Sequence, residues 1–101
     1  MVEIFKTARF DVWMRNLNDR RAAARVQARI DRLAVGNPGD AKPVGSGVSE
    51  MRIDYGPGYR VYFIRRGAAI IVLLCGGDKT TQTADIKAAK ELAALWEGDK
   101  K

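Results

Sequence analysis

Arg52, Arg60 and Lys79 are the residues of this sequence best suited to chemistry on a polyanion. Arg52 and Arg60 sit in two successive β-like segments, Val48–Asp54 and Tyr59–Arg66, and Lys79 lies just past a third, Ala68–Cys75. A strand has a side-chain period of two, so alternate residues share a face. In the first segment Glu50, Arg52 and Asp54 share one face and Met51 and Ile53 the other. In the second, Arg60, Tyr62 and Ile64 share one face, and Val61 and Phe63 point the opposite way. Helices need the apolar face, which leaves Arg52, Arg60 and Tyr62 together on an uncovered one. Lys79 projects over its end, and Lys42 reaches it from the preceding loop. Cations meet phosphates and a ring stacks on bases, so the set suits RNA. Each member also has a plainer use. Arg52 can pair with Glu50 or Asp54 across strands, Arg60 can be an exposed strand cation, and Lys79 beside Asp78 a turn residue.

Composition narrows the chemistry. Lys and Arg number 18 against 12 acidic residues, a net charge of +6, and eleven of the 18 are Arg. A basic surface of this kind fits a nucleic acid or an acidic protein, or serves solubility alone. There is no histidine, which removes the commonest metal ligand and the commonest general base. No metal and no cofactor is expected, and acid–base work falls to Lys, Arg, Tyr, Asp or Glu. Cys75 stands alone, so no intrachain disulfide forms and a reducing cytosol suits the chain. Ser46 and Ser49 lack a histidine partner. No phosphate-binding glycine loop of the GxxxxGK[ST] or GxGxxG type occurs. The start, Met1-Val2-Glu3-Ile4, has no signal-peptide pattern, and the longest apolar run, Ala68–Cys75, is far below the ~20 residues of a membrane span. A cytoplasmic protein with no membrane partner is expected.

The elements that must hold these residues follow from hydrophobic period. Val2–Phe5 reads as a first strand. Phe10, Trp13, Met14 and Leu17 form the stripe of one amphipathic helix, and Ala23, Val26, Ile30 and Leu33 that of a second, with Asn18 and Asp19 as caps between them and Gly36 as the stop. Residues 37–47, with two Pro and three Gly, read as a loop. Three strands follow, turning at Gly56-Pro57-Gly58 and Gly67 and ending at Gly76-Gly77; the run 68–75 is apolar on both faces and reads as central. A third helix begins near Thr83 with Ile86, Ala89, Ala93 and Trp96 at helical spacing, and Gly98 stops it before a polar tail. The expectation is a single α+β domain over residues 1–101, in the order β-α-α-β-β-β-α, with an antiparallel meander sheet and the N-terminal helical hairpin on one face. Arg20, Arg21, Arg25, Arg29 and Arg32 lie mostly opposite the apolar stripe of the second helix. They form either a solvated face or a docking face for RNA, with Arg25 and Arg29 the residues singled out.

At these residues the sequence resembles a known group. Gly56-Pro57-Gly58-Tyr59-Arg60-Val61-Tyr62-Phe63, the run Ile71 to Cys75 followed by Gly76-Gly77-Asp78-Lys79, then Asp85-Ile86 and Ala89 are similar to the RelE/ParE toxin superfamily, and within it to the HigB-like (Gp49-type) addiction-module killer proteins. The likeness extends from Phe10-x-x-Trp13 through Asn37-Pro38-Gly39-Asp40 to the last helix. It implies a RelE-like fold and the toxin of a type II toxin–antitoxin module. Such a toxin is an endoribonuclease that enters the ribosome and cuts messenger RNA. A cognate antitoxin, commonly a helix-turn-helix protein, neutralises it and alone connects it to operator DNA. The alternative within the superfamily is a ParE-like, non-enzymatic inhibitor of DNA gyrase. A plain basic nucleic-acid-binding module is a third reading.

Carried over by position, the resemblance makes Arg60, Lys79 and Arg52 catalytic, with Lys42, Tyr62, Arg25 and Arg29 binding RNA. Many relatives place Tyr or His near the start of the final helix, where this chain has Thr83-Ala84-Asp85. The acid–base candidates are therefore Asp85, Tyr62, and Lys42 or Lys79 as a proton carrier.

Overall fold

The computed structural model describes residues 2–99. In chain order they form β1 (Glu3–Lys6), α1 (Ala8–Arg15), α2 (Arg20–Ala34), β2 (Ala41–Gly45), β3 (Val48–Ile53), β4 (Tyr59–Arg66), β5 (Ile70–Gly77), one 3₁₀ turn (Lys79–Thr81) and α3 (Gln82–Asp99). The strands make one sheet in the order β1-β5-β4-β3-β2. β2 to β5 run as an antiparallel meander, while β1 joins β5 in parallel, Glu3 opposite Ile70. The result is a single α+β domain with a RelE-like arrangement.

Side-chain oxygens set both helix starts. The Thr7 hydroxyl accepts from the Phe10 N–H and donates to the Leu74 carbonyl, so it caps α1 and ties it to β5. Asp19 Oδ1 accepts from the N–H of Arg21 and of Ala22 at the head of α2. Phe10 of α1 and Val26, Ile30 and Leu33 of α2 then pack on one sheet face, against Met51, Ile53, Val61, Phe63, Ile71 and Leu73. This is the hairpin-covered face that the hydrophobic stripes predict.

Two expectations are corrected. Residues 37–47 are not all loop, because Ala41–Gly45 is a fifth strand paired with β3. It is an edge strand with a register shift at Pro43/Gly45, and edges and bulges are places in a sheet where a proline's missing N–H is tolerated. Gly45, Ser46 and Gly47 all have positive φ and make the tight return into β3. The element order thus gains a strand between the helical hairpin and β3.

The second correction concerns the opposite face, which is not uncovered. α3 lies across it, and Ala89 and Ala93 meet Val48, Tyr62, Ile64, Val72 and Leu74. Small residues let the helix approach the sheet closely. A register shift in β4–β5 at Tyr62/Phe63 lets consecutive Leu74 and Cys75 both join this second core. No helix among the described residues is long and apolar enough to cross a membrane.

Candidate functional site

α3 covers only part of its face. Beyond its first turn the sheet is polar, and strand register arranges the side chains there in two rows. Lys42, Glu50 and Tyr62 stand opposite one another across β2, β3 and β4. Arg52, Arg60 and Gly77 do the same across β3, β4 and β5. Like charges directly opposite each other repel, and each arginine has its own carboxylate. Arg52 Nη2 lies 3.0 Å from Asp40 Oδ1, and Arg60 Nε lies 3.5 Å from Glu50 Oε2. The first pair is exposed and the second buried. Hydrogen bonding to Asp40 and its charge raise the Arg52 pKa further.

Arg60 is the buried cation of this end of the sheet. It is 9% exposed, and Nη1 donates to the Gly58 carbonyl at 2.9 Å. Nη2 donates to no group among the described residues, so one edge of the guanidinium remains available. Lys79 opens the 3₁₀ turn, and its backbone N–H reaches the Pro57 carbonyl at 3.4 Å. Gly58, at φ 78°, lies between the two cations. A Cβ there would stand 3.5 Å from Arg60 Nη1 and 3.7 Å from Lys79 Cβ. Arg52 and Arg60, together with Asp40, Asp54, Gly58, Tyr59 and Ile53, line an open pocket of about 300 Å³. The structure thus brings Arg52, Arg60 and Lys79 to one end of the sheet, with Lys42 exposed across from Glu50.

Tyr62 is not on an open surface. It has no exposed area, and its hydroxyl donates to Glu50 Oε2 at 2.9 Å. A ring under α3 has no face to offer a base. Burial, and next the bond to Glu50, push its pKa far above the usual range, so the phenol keeps its proton. Asp85 is 9% exposed and accepts from the Thr81 hydroxyl. It sits directly against Gly77, where any Cβ would overlap its carboxylate. Its place is the joint between β5 and α3.

Arg25 and Arg29 lie on α2, away from this end of the α3 face. Arg29 bonds the Arg52 carbonyl at 2.6 Å and the Pro38 carbonyl at 2.9 Å, so it straps α2 to β3 and the preceding loop. Arg25 stacks over Tyr55, 4.7 Å from the ring centroid.

Glu50 and Gln82 escaped the reading of the sequence in this role. Glu50 was weighed only as a partner for Arg52, yet it sits at the centre, accepting from Tyr62 and, at 2.8 Å, from Gln82 Nε2. The available signal was Val48, an apolar residue two positions earlier on the same strand face. Among the described residues no cluster fit to hold a metal ion occurs.

Residues 12–95 match the family described as "Phage derived protein Gp49-like". The chain belongs to the Gp49-like family. A relative from Haemophilus influenzae, itself described as an uncharacterized protein, is 51% identical over 92 residues, covering 91% of this chain and 93% of its own. Gp49-like proteins are toxin-like members of addiction modules, and that family implies a cognate antitoxin as partner. The whole polar end of the sheet, from Asp40 to Asp85, falls within the Gp49-like match.

The turn that presents Lys79 in this Gp49-like chain depends on Asp78. Its carboxylate accepts from the Thr80 hydroxyl at 2.6 Å and from the Thr80 N–H at 2.9 Å. The Thr80 hydroxyl first, then the backbone N–H groups of Thr80 and Thr81 and the charge of Arg60, outweigh the opposing effect of burial and hold its carboxyl below the ordinary 3.8. A carboxyl depressed in the folded state stabilises above its unfolded pKa, and that contribution is lost as pH falls through the folded value. Asp78→Asn should therefore flatten the acid limb of stability below about pH 4. Urea midpoints measured from pH 6 to pH 2 check this: equal acid slopes in both proteins would show that the cap contributes nothing.

Proposed function

We propose that this chain is a HigB-like toxin of the RelE/ParE superfamily that cleaves messenger RNA on the ribosome. The supporting observation is Arg60, with Nη1 bonded to the Gly58 carbonyl, Nε facing Glu50 and Nη2 left open, in one pocket with Arg52 and with Lys79 across Gly58. In the reaction a ribose 2′-oxygen attacks the adjacent phosphorus. The O2′–P bond forms and the P–O5′ bond breaks, giving a 2′,3′-cyclic phosphate and a 5′-hydroxyl end. The 2′-hydroxyl gives up a proton and the leaving 5′-oxygen takes one. Arg60 and Lys79 stabilise the charge that builds on the phosphoryl oxygens, and Arg52 positions the backbone. Lys79 or Lys42 carries the proton, since Tyr62 is buried and Asp85 is committed to Thr81. Both lysines are exposed.

Arg25 and the neighbouring arginines of α2 add sequence-independent affinity for ribosomal RNA. Inside the cell the toxin acts in the cytoplasm, and a helix-turn-helix antitoxin neutralises it and links it to operator DNA. Primer extension on messages from induced cells tests the reading. The expected result is new 5′ ends at a fixed codon phase that vanish when translation is blocked. Inhibition of gyrase supercoiling by purified protein, with intact messages, would assign it to the ParE-like class instead.

A further inference from the structure

Glu50 has no exposed surface, and the reaction above gives it no proton to carry. A buried carboxylate persists only where hydrogen bonds and opposite charge replace water. Here all of them converge on one oxygen. Oε2 accepts from the Tyr62 hydroxyl at 2.9 Å and from Gln82 Nε2 at 2.8 Å, and it faces Arg60 Nε at 3.5 Å. Oε1 has no partner among the described residues. An apolar side chain of similar volume would fill this position at least as stably. Stability therefore does not explain a charge here.

Arg60 supplies the explanation. Its guanidinium is constrained on two sides, by the Glu50 charge 3.5 Å from a buried Nε that makes no hydrogen bond among the described residues, and by the Gly58 carbonyl that accepts from Nη1. A planar fork constrained at two points turns its remaining edge in one direction. Glu50 is in turn held by a residue of the sheet and by the first residue of α3. We propose that Glu50 is a positioning residue, a buried carboxylate anchor that aims Arg60 at the scissile phosphate, with Tyr62 and Gln82 fixing the anchor. This rests on the reading of the site as a ribonuclease centre.

Single-turnover cleavage on programmed ribosomes tests it with wild type, Glu50→Gln, Arg60→Ala and the double variant. Glu50→Gln keeps the volume and one acceptor but removes the charge. It should lower the cleavage rate constant on the order of 100-fold, the scale of a small misplacement of a reacting group. Ribosome affinity should change less than about twofold, and the thermal midpoint should show a folded protein. In the Arg60→Ala background the same change should have no further effect, because its target is gone.

A purely structural Glu50 would give the same fractional loss in both backgrounds, and that result overturns the proposal. Wild-type rates in Glu50→Gln overturn it as well. Should Glu50→Gln fail to fold, Gln82→Leu carries the test, with about a tenfold loss that disappears in the Arg60→Ala background. Full activity of Gln82→Leu then overturns it. If wild type cuts no message on the ribosome, the ribonuclease reading falls and the anchor falls with it. If wild type cuts the message but the Glu50→Gln comparison fails as described, the anchor alone falls.

Discussion

Arg60→Ala protein, induced without antitoxin, should leave growth unaffected while remaining soluble and bound by its antitoxin. Arg60 is the cation with both an assigned hold and an open edge, and the one facing a buried carboxylate. Removing one preorganised donor from a site of developing negative charge costs about 10²–10³ in turnover. The variant also leaves Glu50 without its counter-charge. Breaking a buried ion pair costs up to roughly 3–5 kcal/mol, and two of the three contacts to Oε2 survive, so the low end applies. A domain with the usual ~5–15 kcal/mol stays folded after such a loss. Growth after induction, antitoxin pull-down and a thermal melt measure the three properties separately. A folded Arg60→Ala protein that still arrests growth at the wild-type dose would refute the assignment of Arg60.

Gly76→Ala should be the most damaging single methyl group in the chain. The Trp13 ring lies directly on Gly76, and any Cβ would overlap its six-membered ring. Trp13 cannot swing clear cheaply, because its ring also packs on Phe10, with centroids 5.8 Å apart, and on Tyr59 at 6.3 Å. α1 and β5 would have to separate. Overpacking of this kind costs about 3 kcal/mol, at the upper end of the usual range. At ~4–8 °C per kcal/mol in a domain of this size, the thermal midpoint falls by roughly 12–24 °C. Calorimetry decides it: a shift below about 2 °C would mean that the ring moves freely and that α1 is not clamped to β5.

The hairpin side of the fold was legible because Phe10, Val26, Ile30 and Leu33 recur at helical spacing and Met51, Ile53, Val61 and Phe63 at strand spacing. The edge strand β2 was not, since Pro43 and Gly45 carry the composition of a loop and only pairing with β3 makes them a strand. Strand period alone grouped Arg52 with Arg60. Their direct opposition needs the β3–β4 register, which comes from the turn between the strands. What period could not supply was the extent of α3. Ile86, Ala89, Ala93 and Trp96 announced the helix but not the sheet face it would cover, so Tyr62 read as open when it is buried. Ile64, on the same face as Arg60, was the hint that part of this face is dry. Glu50 stayed hidden for a related reason: an acidic residue next to a cation looks like a surface pair until its burial is known.

The parallel pairing of β1 with β5 has a consequence for synthesis. Thr7 and its bond to the Leu74 carbonyl join residues 67 positions apart. The first strand and the helical hairpin therefore leave the ribosome long before the strand that receives them. At ~5–20 residues per second that interval lasts roughly 3–13 s. Throughout it Arg60 has no completed sheet and Glu50 no Gln82. The polar end of the sheet, with Arg60 and its Glu50 and Gln82 neighbours, is therefore assembled only when translation of the chain is almost finished.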